Sequence, residues 1–174
     1  MKTLKDYIIT IPNFPEEGIM FRDVTSILES SDGLKLAIDE LLKLLENIEF
    51  DAIAGLESRG FIFGTPLSYL LNKPFIPIRK KGKLPREVVS KEYELEYGSA
   101  VIEVHKASIT KGMKVVLIDD LLATGGTAKA GAELIEELGG KVSKILFLIE
   151  LQGLNGRDKL QGYDVQAVVK YEGK

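Results

Sequence analysis

The sequence predicts an α/β fold built on a mostly parallel sheet with helices on its faces. Short apolar runs alternate with stretches of helical periodicity, the pattern of strands joined by crossover helices. Val115 to Ile118 is a continuous β-branched and aliphatic run, as expected of a parallel strand covered on both faces. The length, 174 residues, is a prior of one domain over 1–174. Surface scaling gives a folded chain of this size about 70% burial, enough for a core without staples.

The elements follow in chain order. Residues 11–25, IPNFPEEGIMFRDVT, are proline-containing and read as irregular. Leu34, Ala37, Ile38, Leu41, Leu42, Leu45 and Ile48 recur at helical spacing, with N-caps offered by Ser30, Ser31 and Asp32, so residues 31–48 form a helix. Ala52 to Leu56 reads as a buried strand, Gly60 to Leu71 as a second helix and Pro74 to Ile78 as another strand. Residues 79–98 are long and charged, and their tail can pair with 99–106 as a hairpin in which Val88, Val89 and Tyr93 face Val101, Ile102 and Val104. After the Val115 strand, a helix from Gly126 to Leu138 is stopped by Gly139 and Gly140. Val142 to Leu151 and Val165 to Tyr171 complete the sheet. Residues 11–25 and 79–98 are additions to this alternation and natural places for specificity loops.

Composition excludes several chemistries. There is no cysteine, hence no disulfide, zinc–thiolate site, iron–sulfur cluster or thiol nucleophile. The one histidine, His105, cannot make a two-histidine metal site, and its place in an alternating stretch reads as a surface strand position. With 23 basic and 26 acidic residues the net charge is −3, which argues against nucleic acid as a partner. No apolar run reaches the ~20 residues of a membrane span, and the N-terminus lacks a signal peptide pattern, so a cytoplasmic protein with no membrane partner is expected.

The strongest chemical signal is 115–127, VVLIDDLLATGGT. A buried strand runs into Asp119 and Asp120, a short loop follows, and Thr124-Gly125-Gly126-Thr127 opens a helix. Ligands of open α/β sheets bind beyond the carboxyl ends of strands. Glycines let backbone N–H groups approach a phosphate, and the helix N-terminus adds partial positive charge. Paired carboxylates would repel that phosphate but suit vicinal sugar hydroxyls. Together these residues describe a ribose 5-phosphate site. No GxxxxGK[ST] and no GxGxxG after a strand competes with it.

This stretch resembles the phosphoribosyl pyrophosphate (PRPP) motif of the type I phosphoribosyltransferases. Four further segments are similar to the adenine-specific branch of that family: IPNFPEEGIMFRDVT to its N-terminal hood, GLESRGFIFG to its pyrophosphate loop, IRKKGKLP with YELEYG to its flexible catalytic loop, and LIELQGLNGRDKL to the segment behind its purine pocket. The resemblance implies a Rossmann-like sheet with a small hood over about residues 1–30 and a flexible hairpin loop over about 79–106. It implies purine salvage: adenine and PRPP giving AMP and pyrophosphate in a homodimer, with Mg2+ carried by PRPP and no direct metal ligand.

Residue roles follow from the same resemblance. Ala123, Thr124, Gly125, Gly126 and Thr127 wrap the 5′-phosphate, while Asp119 and Asp120 hold the ribose hydroxyls. Glu57, Ser58 and Arg59 form the pyrophosphate loop, with a cis bond between the first two. Arg79 and Lys83 reach pyrophosphate, Arg79 from the partner subunit. Met20, Phe21, Arg22 and Leu151 frame adenine. Glu96 and Tyr97 close over the site and join Arg59 as catalytic residues, Glu96 as an acid, a base or an orienting group. Asn13 stands where the family often has Asp, Glu57 where some members have Asp, and Met20 where valine is common.

The residues themselves fit this chemistry. Arg79, Lys80, Lys81, Lys83 and Arg86 place five positive charges in eight residues, a gain for a polyanionic ligand. Blander readings stand beside it: Arg22 and Asp23 as a surface ion pair, the basic stretch as a solvated loop, Glu96 and Tyr97 as a surface acid and a packing aromatic. Two other functions compete: transfer to xanthine, hypoxanthine or guanine, and a regulator that binds PRPP as a signal. The acidic balance and the lack of a spare segment weigh against the regulator.

Overall fold

The computed structural model describes residues 1–95 and 97–174. The segment predicted to be irregular contains instead a two-stranded antiparallel sheet, β1 (Ile9–Pro12) with β2 (Met20–Asp23). Its connection carries a cis Phe14–Pro15 bond, and Asn13 Oδ1 accepts the Gly18 N–H at 2.9 Å. Helix α1 (Thr25–Leu28) and helix α2 (Ser31–Leu44) follow, the latter capped by the Ser30 hydroxyl accepting from the Gly33 N–H at 3.1 Å.

The main sheet contains β3 (Ala52–Leu56), β4 (Phe75–Lys80), β5 (Val88–Glu94), β6 (Ser99–His105), β7 (Lys114–Leu122), β8 (Lys141–Leu151) and β9 (Val165–Tyr171). Their spatial order is β5-β6-β4-β3-β7-β8-β9. The five strands from β4 to β9 are parallel, and the β5–β6 hairpin joins antiparallel through β6 to β4. Helix α3 (Arg59–Leu71) connects β3 to β4, and helix α4 (Gly126–Glu137) connects β7 to β8.

Period-2 alternation explains why the core strands are apolar throughout. Ala52, Ala54, Val115, Leu117, Ile145 and Phe147 pack with α4 on one face. Ile53, Val116, Ile118, Leu146 and Leu148 pack with α2 and α3 on the other. Burial on both sides removes any polar face. In chain order the parallel strands lie 2-1-3-4-5, so the order reverses between β3 and β7. A crevice at the carboxyl ends of those two strands is where such a sheet binds ligands.

Three further expectations need correcting. β4 continues through Arg79 and Lys80, so the first two cations of the basic stretch are strand residues. β7 runs to Leu122, which places Asp119 and Asp120 inside its last turns of ladder. His105 is buried, not exposed. The chain before β5 folds over the end of β6, bringing the Arg86 backbone N–H within 3.3 Å of Nε2 and its guanidinium within 2.9 Å of Nδ1.

Candidate active site

Two loops meet where the strand order reverses. The first leaves β3 as Glu57-Ser58, joined by a cis peptide bond as the resemblance implies, and opens α3 at Arg59. The second leaves β7 and enters α4 through Ala123 to Thr127.

Glycine sets both approaches. A Cβ on Gly60 would lie 2.8 Å from the Ile118 carbonyl oxygen, so only glycine lets the start of α3 rest on the end of β7. That contact brings Arg59 Nε to 2.7 Å from Asp120 Oδ2, an ion pair without the alignment of a hydrogen bond. Gly125 has φ +87°, and a Cβ there would stand 2.5 Å from the Gly156 carbonyl oxygen. The turn at Gly156–Leu160 thus backs the Gly125 loop. A bidentate pair fixes that turn: Arg157 Nε and a terminal nitrogen lie 2.7 and 2.9 Å from the buried Glu150 carboxylate. A third Arg157 nitrogen donates to the Val165 carbonyl at 2.8 Å.

The recess at this point, about 80 Å3, is lined by Asp119, Phe147 and the Ala123–Thr127 loop. A larger recess of about 620 Å3 lies away from it, between Leu4, Leu36 and Val168. The larger one gathers no converging acids and no glycine loop, so the chemistry belongs to the smaller.

Electrostatics sharpen the picture. Burial, and then the adjacent Asp120 charge, push the Asp119 carboxyl well above its ordinary range. Asp119 Oδ1 accepts the Asp120 N–H at 2.8 Å, which orients it. Glu57 behaves oppositely. Burial pushes its carboxyl up, but the Lys80 N–H at 2.7 Å and the Arg79 guanidinium at 3.3 Å outweigh this and hold it below its ordinary value. Its side chain is therefore turned toward β4 and fixes Arg79.

The basic stretch is held by carboxylates. Buried Glu103 accepts the Gly82 N–H at 2.8 Å and the Ser90 hydroxyl at 2.6 Å, pinning the turn between Lys80 and Lys83. Lys83 is exposed on that turn, and Tyr97 is exposed at the hairpin tip. Glu96 lies outside the described residues. In the hood, Met20 is exposed and Phe21 half-buried, its ring packing edge-on against Phe14. Arg22 makes no pair with Asp23. It donates to Thr10 Oγ1 at 2.6 Å and lies over the Tyr171 ring at 4.0 Å, so the hood is tied to the end of β9. Leu151 ends β8 and is buried.

Asp119, Asp120, Arg59, Ser58 and Ala123–Thr127 thus converge on one crevice, with Glu57 and Arg79 joined beside it. Sequence reasoning missed Glu150 with Arg157, Tyr171 beneath Arg22, and Glu103. It read Tyr93 as hairpin packing alone, yet the Thr127 hydroxyl lies 3.2 Å from the Tyr93 hydroxyl. Inward alternation along the hairpin marks Tyr93, but nothing in the sequence marks its partner.

Comparisons with known proteins agree with this geometry. The model of the phosphoribosyl transferase domain matches residues 23–171. The adenine phosphoribosyltransferase of Agathobacter rectalis is 67% identical over the full length of both chains. The crystal structure of adenine phosphoribosyltransferase from Thermoanaerobacter pseudethanolicus superposes with a TM-score of 0.93 at 50% identity, over 97% of this chain and 100% of that one. The Saccharomyces cerevisiae enzyme, complexed with an imino-altritol bisphosphate and adenine, gives 0.90 at 41% identity over 95% and 96%. A crevice built at the reversal of the strand order, and a match spanning nearly every element that builds it, place this chain in the phosphoribosyltransferase family.

Proposed function

We propose that the chain transfers the 5-phosphoribosyl group of PRPP to adenine, giving AMP and pyrophosphate in purine salvage. The observation that carries this is the crevice where paired acids, Arg59 and a glycine loop at a helix N-terminus face one another. Relatives named for this activity, matching along the whole chain, support the choice of base.

In this reading the 5′-phosphate rests on the N–H groups of Ala123–Thr127, favoured by the positive end of α4. Asp119 and Asp120 accept from the ribose hydroxyls. The diphosphate lies toward Ser58, Arg59, Arg79 and Lys83. Adenine lies between the hood residues Met20, Phe21 and Arg22 and the wall at Leu151. The C1–oxygen bond breaks with its electron pair leaving on pyrophosphate, and a bond from C1 to the adenine nitrogen forms. Positive charge grows on the sugar ring and negative charge on the leaving group. Arg79, held by Glu57, and Lys83, on the turn that Glu103 pins, meet the second, which is electrostatic stabilisation. Glu96 and Tyr97 close the site and exclude water; Glu96 handles the purine proton or orients the base.

Magnesium enters with PRPP. Among the described residues no three acids or histidines gather as a ligand set. Asp120 is paired with Arg59 and burial pushes the Asp119 carboxyl up, so the ion would be held by diphosphate and ribose oxygens and by water. Bound with the substrate, the ion would neutralise diphosphate charge.

The chain acts as one domain, in the cytoplasm, as a homodimer. Ile62, Tyr69 and Leu70 are exposed on α3, an apolar face that a second copy would cover, while Arg79, implied to act from the partner subunit, is held at Glu57 of its own chain. The test of function is AMP formation from adenine, PRPP and magnesium, with hypoxanthine, guanine and xanthine as competitors. Absence of turnover with adenine would sink the proposal.

A further inference from the structure

We propose that Tyr93 is a positioning residue that couples the β5–β6 hairpin to an occupied phosphate loop, through Thr127. The proposal rests on the functional reading above and goes beyond it, because it gives a role to a hairpin residue outside the loop itself.

The contact is specific. Tyr93 is half-buried against the α4 side of the sheet, and its hydroxyl stands 3.2 Å from Thr127 Oγ1. The hairpin lies directly on the loop: Tyr93 Cδ2 and the Glu94 carbonyl oxygen are 3.8 and 3.7 Å from where a Cβ on Gly126 would be. Other polar links between β5 and α4 are partly solvated pairs of Lys91 with Glu133 and Glu137, at 3.0 and 2.9 Å, on the outer turns of α4. Pairs open to solvent hold position weakly, and neither touches the phosphate loop. Tyr93 is the link that reaches the loop.

Counting protons gives the mechanism. Each hydroxyl donates once and accepts from others. Across the 3.2 Å between Thr127 and Tyr93 either hydroxyl can donate. A phosphate dianion has only acceptors to offer, so the Thr127 proton turns to it, and Tyr93 then donates to Thr127 Oγ1. The relay Tyr93 to Thr127 to phosphate is charge-assisted at its far end, and each bond polarises the next. Phosphate occupancy thereby strengthens the hold on β5, three residues before Glu96. A ligand without the phosphate has no such effect.

The test is Tyr93→Phe, which removes one oxygen and keeps the ring, combined with Thr127→Val in a double-mutant cycle. Affinity for ribose 5-phosphate is read by calorimetry, and kcat and the KM for adenine by steady-state assay. Tyr93→Phe should weaken ribose 5-phosphate binding about three- to tenfold, lower kcat and leave the KM for adenine unchanged. In the Thr127→Val background it should change little, since the relay is already cut. Ribose 5-phosphate affinity within twofold of wild type, or full additivity with Thr127→Val, would overturn the relay while the functional reading stands. Wild-type protein that neither binds ribose 5-phosphate nor turns over adenine would overturn both.

Discussion

Asp119 and Asp120 are neighbours in sequence with opposite surroundings. Asp120 faces Arg59, whereas burial and the Asp120 charge raise the Asp119 carboxyl. Asp120→Asn removes the partner of Arg59 and an acceptor for the ribose. It should raise the KM for PRPP about 10- to 100-fold, the cost of a charged hydrogen bond, with less effect on adenine; initial rates at varied PRPP check this. His105 makes a second prediction at this scale. Burial, then the Arg86 charge, lowers its folded pKa below the ordinary 6.5. As pH falls through about 6.5 the unfolded chain takes up the proton first, so this residue's contribution to stability is lost on the acid side and is flat above it. Urea midpoints between about pH 7.5 and pH 5.5 should fall in the wild type and fall less in His105→Asn. Neither environment is legible in the sequence. The two acids are adjacent letters, and the alternation that suggests an exposed His105 ignores the chain that folds over the end of β6.

At the scale of elements, legibility follows burial. The parallel strands declare themselves because Ala52–Leu56, Val115–Ile118 and Ile145–Ile149 bury both faces. The hood strands do not, since Ile9, Ile11 and Met20 are exposed and prolines interrupt the pattern. The phosphate loop is legible because backbone chemistry fixes its residue types. The turn behind it is not, because Glu150 and Arg157 meet only after β8 has formed. Arg157→Leu leaves a buried Glu150 carboxylate unpaired. With the Arg157 side chain 40% exposed, the loss should be smaller than for a fully buried pair, about 2–3 kcal/mol. Denaturant titration measures it, and loosening at Gly156 should also weaken AMP binding.

At the scale of the whole molecule, α3 presents an apolar face to solvent. Tyr69 is 86% and Leu70 55% exposed in a single chain. If a second copy packs there, Tyr69→Glu should shift the protein from dimer to monomer in sedimentation velocity. A monomeric wild type would remove the premise.

The two-stranded hood sheet shares no ladder with the seven-stranded sheet. Its ties to the rest include the apolar contacts of Ile8, Val24 and Ile27, the Ser26 hydroxyl bonded to Ile9 and Asp23, and the seat of Arg22 on Tyr171. In the reading proposed here, the part that chooses the base is thus separable from the part that grips the sugar phosphate. Descendants of such a chain can explore new nucleobases by altering a few hood residues while the inherited phosphate grip persists.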